Sequence, residues 1–367
     1  MKKKIDLTQL SPEELEAEKL RRRKRMKRRK IMTVCDRIFG FFLATGIVAA
    51  ITVLAFGMLI CKGPSQGLKE TFVMTLVETR RFDFVPRIFL RHDEIEEMHL
   101  ASKGDADSVM DSSLINISTE ENKDQTDDYG LVDEDGDGII YEEIKGPGYA
   151  GHMLIVLDPS RVFVGMPDAY GYGASGMTLD GFCEKYGAIG GINAGGFLDD
   201  AGAGLGGFPD GLTVVDGIIQ RGDGGGNCFV GLDIHDILWV GYYNEGDVEP
   251  MQIRDGVTFG PILIQNGVMG AESYLLSGVN PRTAIGQRGD GAILMLVIDG
   301  RQAHSIGATY LDLAEVMMDY GAVNAINLDG GSSTVMWYNG EFINSCSSAN
   351  GISRSLPNAF LIKPLEK

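Results

Sequence analysis

The sequence predicts an α+β fold in which a mixed β-sheet dominates and helices are few. Short β-branched and aliphatic runs recur between glycine turns in the C-terminal part of the chain, where glycine is concentrated. Only residues 178–186 and 309–320 have helical patterns there, and the second begins at a capping Thr309 and ends before Gly321. No fixed-period repeat is present. Many strands with few helices therefore favour one mixed-sheet domain.

The predicted strands are short apolar runs bounded by turn residues. They are residues 155–157, 162–164, 212–215, 237–240, 261–264, 292–298 and 359–362. Residues 139–367, which contain all of them, are long enough to form one domain with its own core.

The N-terminal part of the chain predicts a membrane anchor. Residues 21–30 are basic at every position except Met26, and residues 38–60 carry no charge. A helix over residues 38–60 would reach about 35 Å, enough to cross the hydrocarbon core of a bilayer. A cleaved signal peptide would have a shorter apolar core. Because basic segments stay on the cytoplasmic side, we expect a single-pass plasma-membrane protein whose C-terminal domain is extracytoplasmic.

Charge divides the chain into two parts. Residues 1–37 contain 14 Lys/Arg and 6 Asp/Glu, a net charge of +8, so the remaining residues carry −18 − 8 = −26. Such an acidic domain argues against nucleic acid as a partner. The five cysteines match neither a disulfide framework nor a metal-ligand spacing.

Two segments are expected to connect the anchor to the main domain. Residues 61–100 contain an apolar pattern of helical spacing that ends before Pro86, which predicts a juxtamembrane helical stalk. Residues 101–138 are rich in Ser, Asp, Glu and Asn, which is typical of a flexible acidic linker.

An acidic segment at the end of this linker allows two interpretations. Asp133, Asp135 and Asp137, followed by Gly138, match the start of an EF-hand calcium loop, but Ile144 stands where the loop needs a bidentate glutamate. The other interpretation is an acidic glycine turn that enters a β-hairpin. The sequence requires no cofactor, and a divalent cation is allowed without being demanded.

The segment around Asp329 is the most informative of the chain. An apolar run ends in Asp329, and Gly330, Gly331 and Ser332 follow it. Glycines let backbone N–H groups approach a ligand closely, and carboxylates at strand ends are frequent in catalytic sites. An ordinary Gly-Gly hairpin turn would give the same pattern.

Four further motifs follow predicted strands or precede them. The residues that these motifs present are Asn193, Gly195 and Gly196 in the first, Arg282 in the second, Asp299 and Arg301 in the third, and Arg354 in the fourth. His304 lies just behind the third motif. Each motif alone is compatible with turn chemistry, an exposed arginine or an exposed loop histidine.

Taken in order, these motifs resemble the phosphodiester glycosidase family, whose bacterial members are often labelled exopolysaccharide-biosynthesis proteins. The resemblance covers residues 149–362 and is most specific at residues 327–333. One departure is Ala194-Gly195-Gly196-Phe197-Leu198, where family members often have Asn-Gly-Gly-Phe-Phe. The loop glycines and the aromatic ring are kept.

The resemblance implies a hydrolase that cleaves a sugar-1-phosphodiester, such as an N-acetylglucosamine-1-phospho-linked glycan, at the anomeric C–O bond. A guanidinium can fork onto two phosphate oxygens, which makes Arg282 the first choice for holding phosphate, supported by Arg354. Asp329 and Asp299 are the candidates for stabilising an oxocarbenium-like carbon or activating water. The other candidate substrate-binding residues are Asn193, Gly195, Gly196, Arg301, Gly330, Gly331 and Ser332.

Two other functions compete with this one. The domain could bind or position an exported phosphopolysaccharide without cleaving it, which would need the arginines and glycine loops but not Asp329. A phosphodiesterase that breaks the P–O bond would ordinarily need a metal cluster rich in His and Asp, which is not evident in the sequence. The expected partners are a carbohydrate phosphodiester or an envelope polysaccharide, and the lipid bilayer around residues 38–60.

Overall fold

The computed structural model describes residues 12–79, 82–101, 109–117, 129–171, 173–198, 204–222, 227–270, 277–348 and 351–365. Residues 102–108 and 118–128 of the expected acidic linker lie outside these residues. The chain divides into two compact units, Met1–Gly63 and Pro64–Lys367. The described part of the first unit is helix α1, Pro12–Lys62. Its segment Arg37–Lys62 is long and apolar enough to cross a membrane.

The second unit contains four of the α-helices in the described residues. They are α2 (Gln66–Glu78), α3 (His92–Ala101), α4 (Leu179–Tyr186) and α5 (Tyr310–Asp319). Helices α4 and α5 confirm the two predicted helices. Thr309 caps α5 through a reciprocal pair of bonds with Asp312, and Gly321 follows with a left-handed φ of 80°.

The strands confirm all seven of the predicted apolar runs and add several that the sequence did not single out. They are β1 (Ile139–Gly146), β2 (Tyr149–Val156), β3 (Val162–Gly165), β4 (Gly190–Asn193), β5 (Thr213–Val215), β6 (Ile218–Arg221), β7 (Asn227–Asp233), β8 (Leu238–Tyr243), β9 (Ile253–Thr258), β10 (Ile262–Gln265), β11 (Val268–Met269), β12 (Arg282–Arg288), β13 (Ile293–Ile298), β14 (Ala322–Leu328), β15 (Met336–Tyr338), β16 (Glu341–Phe342) and β17 (Ala359–Ile362).

These strands form three sheets. Sheet 1 has seven strands in the order β1-β2-β13-β12-β14-β10-β11. Sheet 2 has the order β16-β15-β4-β17-β3, and sheet 3 has the order β6-β5-β9-β7-β8. The strand pairs in the described residues run antiparallel, so the expectation of a mixed sheet is wrong. Adjacent parallel strands need long crossover connections, which usually contain a helix. This chain has few helices and many glycine turns, and such turns favour antiparallel neighbours.

The main core lies between sheet 1 and the other two sheets. Strand β13 shows the layering directly, because its side chains alternate between two clusters. Ile293, Met295 and Val297 join residues of all three sheets in the main core. Leu294, Leu296 and Ile298 pack on the opposite face, where α5 covers sheet 1. Burial on both faces explains why this strand is a continuous apolar run.

The acidic segment before β1 forms a turn that enters the β1–β2 hairpin. Asp133 accepts hydrogen bonds from the backbone N–H groups of Gly136 and Gly138. Carboxylate oxygens of Asp133, Asp135 and Asp137 lie within 4.8 Å of one another, so this turn has a donor set that can hold a cation.

Candidate active site

The predicted site residues meet at one edge of sheet 1. Strand β12 begins at Arg282, and its neighbours β13 and β14 end at Ile298 and Leu328. Arg282 pairs with Ile298, and Thr283 pairs with Leu328. Strand β12 runs antiparallel to both neighbours, so the start of β12 and the ends of β13 and β14 lie at the same end of the sheet. This arrangement brings together Arg282, Asp299 and Asp329, which the sequence motifs alone could not establish.

The two aspartates point to opposite faces of this sheet. Leu328 and Val297 both belong to the core between the sheets. Both aspartates lie one residue past the end of their strand, at the rim of the sheet. Continuing the alternation of side chains by one residue directs Asp329 toward the α5 face and Asp299 toward the face of Val297. The burial-raised pKa of Tyr310, the first residue of α5, agrees with this, because Asp329 is among the charges that affect it.

Arg282 is held from several sides on the α5 face. Its side chain is buried, and its guanidinium lies 4.1 Å from the centre of the Tyr310 ring. Nε donates to the carbonyl of Ala308 at 3.1 Å, and Nη2 donates to Oε2 of Glu78 at 2.7 Å. Burial by itself would lower the pKa of this guanidinium, but the charges and hydrogen bonds of Glu78 and Tyr310 together offset it, so the pKa is raised.

The Glu78 carboxylate is the centre of an anion-binding arrangement. Besides Arg282, it accepts hydrogen bonds from Nδ2 of Asn280 at 2.9 Å and from the backbone N–H of Gly278 at 3.1 Å. Glu78 is the last residue of α2, and Thr75 of the same helix accepts a bond from the N–H of Val279. The end of α2 therefore docks on residues 278–282.

Asn193, at the end of β4 in sheet 2, fixes the backbone of Asp329. Its Nδ2 donates to the carbonyl of Asp329 at 2.6 Å. Its Oδ1 accepts from the hydroxyl of Thr283 at 2.8 Å and from the N–H of Val335 at 3.1 Å. The side chain is 1% exposed. These contacts join the first sequence motif to the segment that carries Asp329.

Asp299 is almost fully enclosed by hydrogen-bond donors. Oδ1 accepts from Nδ2 of Asn344 at 3.1 Å and from the N–H of Ser345 at 3.0 Å. Oδ2 lies 2.9 Å from Nε2 of His304. The aspartate is 3% exposed, whereas the His304 side chain is 49% exposed. The imidazole is therefore the part of this pair that solvent reaches.

The glycine loop after Asp329 is shaped by close backbone contacts. Gly331 has a left-handed φ of 63°, and its N–H donates to the carbonyl of Pro281 at 2.9 Å. A Cβ at Gly331 would lie 3.4 Å from Nη2 of Arg301. Arg301 also donates to Oδ1 of Asn280 at 3.0 Å. Its pKa is lowered by desolvation and by the charge of Arg282.

Arg354 approaches the same loop from the fourth motif. Nη1 donates to the hydroxyl of Ser332 at 3.2 Å, and the guanidinium stacks 4.6 Å from the centre of the Phe197 ring. Gly195, in the same motif as Phe197, donates its N–H to Oδ1 of Asn358 at 2.7 Å. All five motifs thus converge on residues 329–333 or on their direct supports.

Several residues of this arrangement escaped the sequence analysis. Glu78 lies in a segment expected to be a stalk, and the sequence indicates Tyr310 only as part of a helix. The sequence is compatible with an exposed loop role for His304, although its closeness to Asp299 in the chain is a usable signal. For Glu78, no local pattern indicates a contact with a residue 204 positions away.

Apart from Glu78, the residues of the site lie within the part of the chain that matches a known family. The family model for phosphodiester glycosidase matches residues 186–363. The chain is 29% identical over 224 residues to the mouse N-acetylglucosamine-1-phosphodiester alpha-N-acetylglucosaminidase, covering 53% of this chain and 41% of the mouse protein. It is 39% identical over 83 residues to the SPbeta prophage-derived uncharacterized protein YomE of Bacillus subtilis, covering 23% of this chain and 13% of that protein.

A solved structure shares the fold. It is the zebrafish N-acetylglucosamine-1-phosphodiester alpha-N-acetylglucosaminidase catalytic domain auto-inhibited by pro-peptide, with a TM-score of 0.52 and 22% identity, covering 62% of this chain and 82% of that one. The matches to the mouse and Bacillus relatives span less than half of either relative's length. Residues 186–363, just under half of the chain, are thus similar to the phosphodiester glycosidase family.

Proposed function

We propose that this protein hydrolyses a sugar-1-phosphodiester at the bond between the anomeric carbon and the phosphate oxygen. The observation that carries the proposal is that Arg282 and Asp329 lie at the ends of adjacent strands, on the same face of sheet 1. A cation for phosphate and a carboxylate for the sugar carbon are the two groups that this reaction most needs. The names of the mammalian relatives specify N-acetylglucosamine-1-phosphodiesters, which we take as the first substrates to test.

In this proposal, arginines hold the phosphate group. The departing phosphate monoester is a good leaving group at neutral pH, so its oxygen needs less help from a general acid than an alcohol would. Arg282 is the first candidate, although a bound phosphate competes with the carboxylate of Glu78 for its Nη2 group. Arg354 and Arg301 flank the loop at Gly331 and Ser332 and supply further positive charge.

Asp329 is the proposed carboxylate that faces the anomeric carbon. Its backbone is fixed by Asn193 and by the bond from its N–H to the carbonyl of Ala194. A carboxylate carried by a backbone held in this way can stabilise the developing positive charge with little reorganisation of the chain. The hydroxyl of Ser332 and the sugar-facing side of the glycine loop are the proposed contacts for sugar oxygens.

The proposed setting is the outer face of a plasma membrane. The apolar segment Arg37–Lys62 would anchor the chain, and the basic residues before it would stay in the cytoplasm. A catalytic domain on the outer side would meet phosphodiester-linked glycans or exopolysaccharides of the cell envelope.

The test uses the full-length chain in detergent and an N-acetylglucosamine-1-phosphodiester. Free reducing sugar and phosphomonoester are quantified together, with Asp329→Asn beside the wild type and Asp319→Asn as the control. Asp319 is an exposed carboxylate at the end of α5. A parallel arm with EDTA tests whether a divalent cation takes part.

The expected result is equimolar sugar and phosphomonoester from the wild type and from Asp319→Asn, with little product from Asp329→Asn. Release of sugar-1-phosphate would overturn the proposal in favour of a phosphodiesterase. Binding of sugar phosphodiesters without turnover would instead indicate a protein that positions a phosphopolysaccharide.

A further inference from the structure

Three donors occupy most of the roughly four lone-pair sites of the Asp299 carboxylate, and the residue is 3% exposed. Asn344 and Ser345 occupy Oδ1, and His304 occupies Oδ2. A buried carboxylate that is satisfied in this way resembles the carboxylate that orients a catalytic imidazole more than it resembles a nucleophile. The role that fits these hydrogen bonds is for Asp299 to orient the imidazole of His304.

The hydrogen bond to Asp299 also decides which nitrogen of His304 can act as a base. An ionised carboxylate can only accept a hydrogen bond, so Nε2 of His304 carries the proton in this contact. In the neutral ring, Nδ1 then holds the lone pair. With half of the side chain exposed, this nitrogen can take a proton from a bound water molecule and release it to solvent.

The turn that carries His304 also carries Arg301, which places it beside the glycine loop. Backbone bonds from Arg301 to Ile306 and from Gln302 to Ser305 close this turn. The guanidinium of Arg301 reaches within 3.4 Å of the Cβ position of Gly331. The turn that contacts the loop through Arg301 thus also carries the imidazole of His304, three residues further along the chain.

A second segment ties this pair to the loop. Ser345 donates its N–H to Asp299, and two residues later Ser347 donates its hydroxyl to the carbonyl of Gly331 at 3.1 Å. Between them, Cys346 contacts the carbonyl of Ser332. Residues 344–347 therefore support both the Asp299–His304 pair and the loop after Asp329.

We infer that His304 is the general base that activates water in the proposed hydrolysis and that Asp299 positions it. This inference rests on the proposed function. The water oxygen bonds to the anomeric carbon while one of its protons passes to Nδ1 of His304. The bond from that carbon to the phosphate oxygen breaks, and its electron pair leaves with the phosphomonoester. The imidazolium then releases the proton to solvent, so that water and phosphodiester become sugar, phosphomonoester and one proton.

Other titratable and charged groups near His304 have to be separated from it. His152 on β2 lies close enough for its pKa to be affected by both Asp299 and His304, although burial is the main cause of its lowered pKa. Nδ1 of His152 is bonded to the hydroxyl of Tyr141. Glu143 faces His152 across the β1–β2 pair, and Arg301 shares the turn with His304.

The experiment measures kcat and kcat/KM against pH for the full-length protein with His304→Gln, His304→Ala and Asp299→Asn. His152→Gln and His235→Gln are the matched controls, the second being an exposed histidine in the β7–β8 turn. We expect kcat to fall roughly 100-fold in both His304 variants, with KM little changed, and the ascending limb of the pH profile to disappear. Added imidazole should restore part of the activity of His304→Ala.

Each outcome separates the inference from the proposed function. Wild-type turnover with a normal pH profile in His304→Gln would overturn the role of His304 and leave the hydrolase intact. Loss of the ascending limb in His152→Gln alone would assign the base to His152 and also overturn it. If Asp299→Asn does not fold, the His304 variants and the imidazole rescue still decide the question. No wild-type turnover on any sugar phosphodiester would remove the proposed function itself.

Discussion

The carboxylate of Glu78 lies 2.7 Å from the guanidinium of Arg282, although 204 residues separate them in the chain. The contact joins α2, the helix that follows the apolar N-terminal segment, to the residue best suited to hold phosphate. The carboxylate and a phosphodiester each carry one negative charge spread over two oxygens. The same donors on Arg282, Asn280 and Gly278 would suit either group.

Glu78→Gln should therefore strengthen substrate binding. Removing the resident negative charge leaves Arg282 available to the phosphate, so we expect KM for the phosphodiester to fall. The melting temperature should fall as well, because removing one partner of a buried ion pair typically costs about 3–5 kcal/mol. Steady-state kinetics and thermal unfolding of the full-length protein measure both effects.

Glu97→Gln is the control for this prediction, because Glu97 is an exposed glutamate on α3. A rise in KM for Glu78→Gln, with Glu97→Gln unaffected, would contradict the prediction. It would show that Glu78 positions Arg282 for the substrate and does not compete with it.

Asn193→Ala should lower both activity and stability. The truncation leaves Thr283 and the N–H of Val335 without their acceptor and the carbonyl of Asp329 without its donor. Each buried group left unsatisfied costs about 1–3 kcal/mol. Activity should fall further than unfolding explains, because Asp329 loses its anchor. Kinetics at a temperature where the variant stays folded measures this.

The matched control is Asn324→Ala, which truncates another fully buried asparagine, this one in sheet 1. Its Oδ1 accepts from the N–H of Asn266, and it pairs with Gln287 toward the other end of β12. Both variants should lose stability, and only Asn193→Ala should lose turnover per folded molecule. Equal losses of turnover would rule out a specific role for Asn193.

Gly331→Ala should reduce activity more than its backbone strain alone would. A left-handed φ of 63° costs a non-glycine residue about 1–2 kcal/mol. The added methyl group would fit in ordinary van der Waals contact with Nη2 of Arg301 at 3.4 Å, so the further loss of activity would come from covering the loop surface beside this guanidinium. Gly340→Ala in the β15–β16 turn has a comparable φ of 92° with open space around its Cβ position. If both variants retained full activity, the loop after Asp329 would not contact the substrate.

Asp255 should make the stability of the domain depend on pH. Burial raises the pKa of its carboxyl despite the neighbouring guanidinium of Arg254. A raised pKa means that the folded state holds this proton more tightly than the unfolded state. The stabilisation is complete below the ordinary aspartate range and is lost as pH rises through the raised value. Melting temperatures of wild type and Asp255→Asn should therefore diverge in favour of the variant as pH rises, and parallel curves would contradict this.

Local patterns in the sequence predicted those parts of the fold that local chemistry decides. The apolar run at residues 292–298 became β13 because both of its faces are buried. Thr309 caps α5 as its position indicates. The direction of strand pairing was predicted incorrectly, because pairing depends on which strands meet and not on the composition of any one of them.

The site was predictable as a set of motifs and not as an arrangement. Asp299 and Asp329 look equivalent in the sequence, since each ends an apolar strand. A difference of one position in the alternation of strands sends them to opposite faces of sheet 1. The contact of Glu78 with Arg282 arises because α2 packs on a distant part of the chain, and no local sequence pattern predicts such packing.

The most direct test of the central claim is hydrolysis of an N-acetylglucosamine-1-phosphodiester by the full-length protein in ¹⁸O-labelled water. Mass spectrometry of the phosphomonoester then identifies the bond that breaks, which product amounts alone do not. We predict that the phosphomonoester contains no ¹⁸O, because water attacks the anomeric carbon and the phosphate keeps its original oxygens. One ¹⁸O atom in the phosphomonoester would show attack at phosphorus and contradict the glycosidase mechanism.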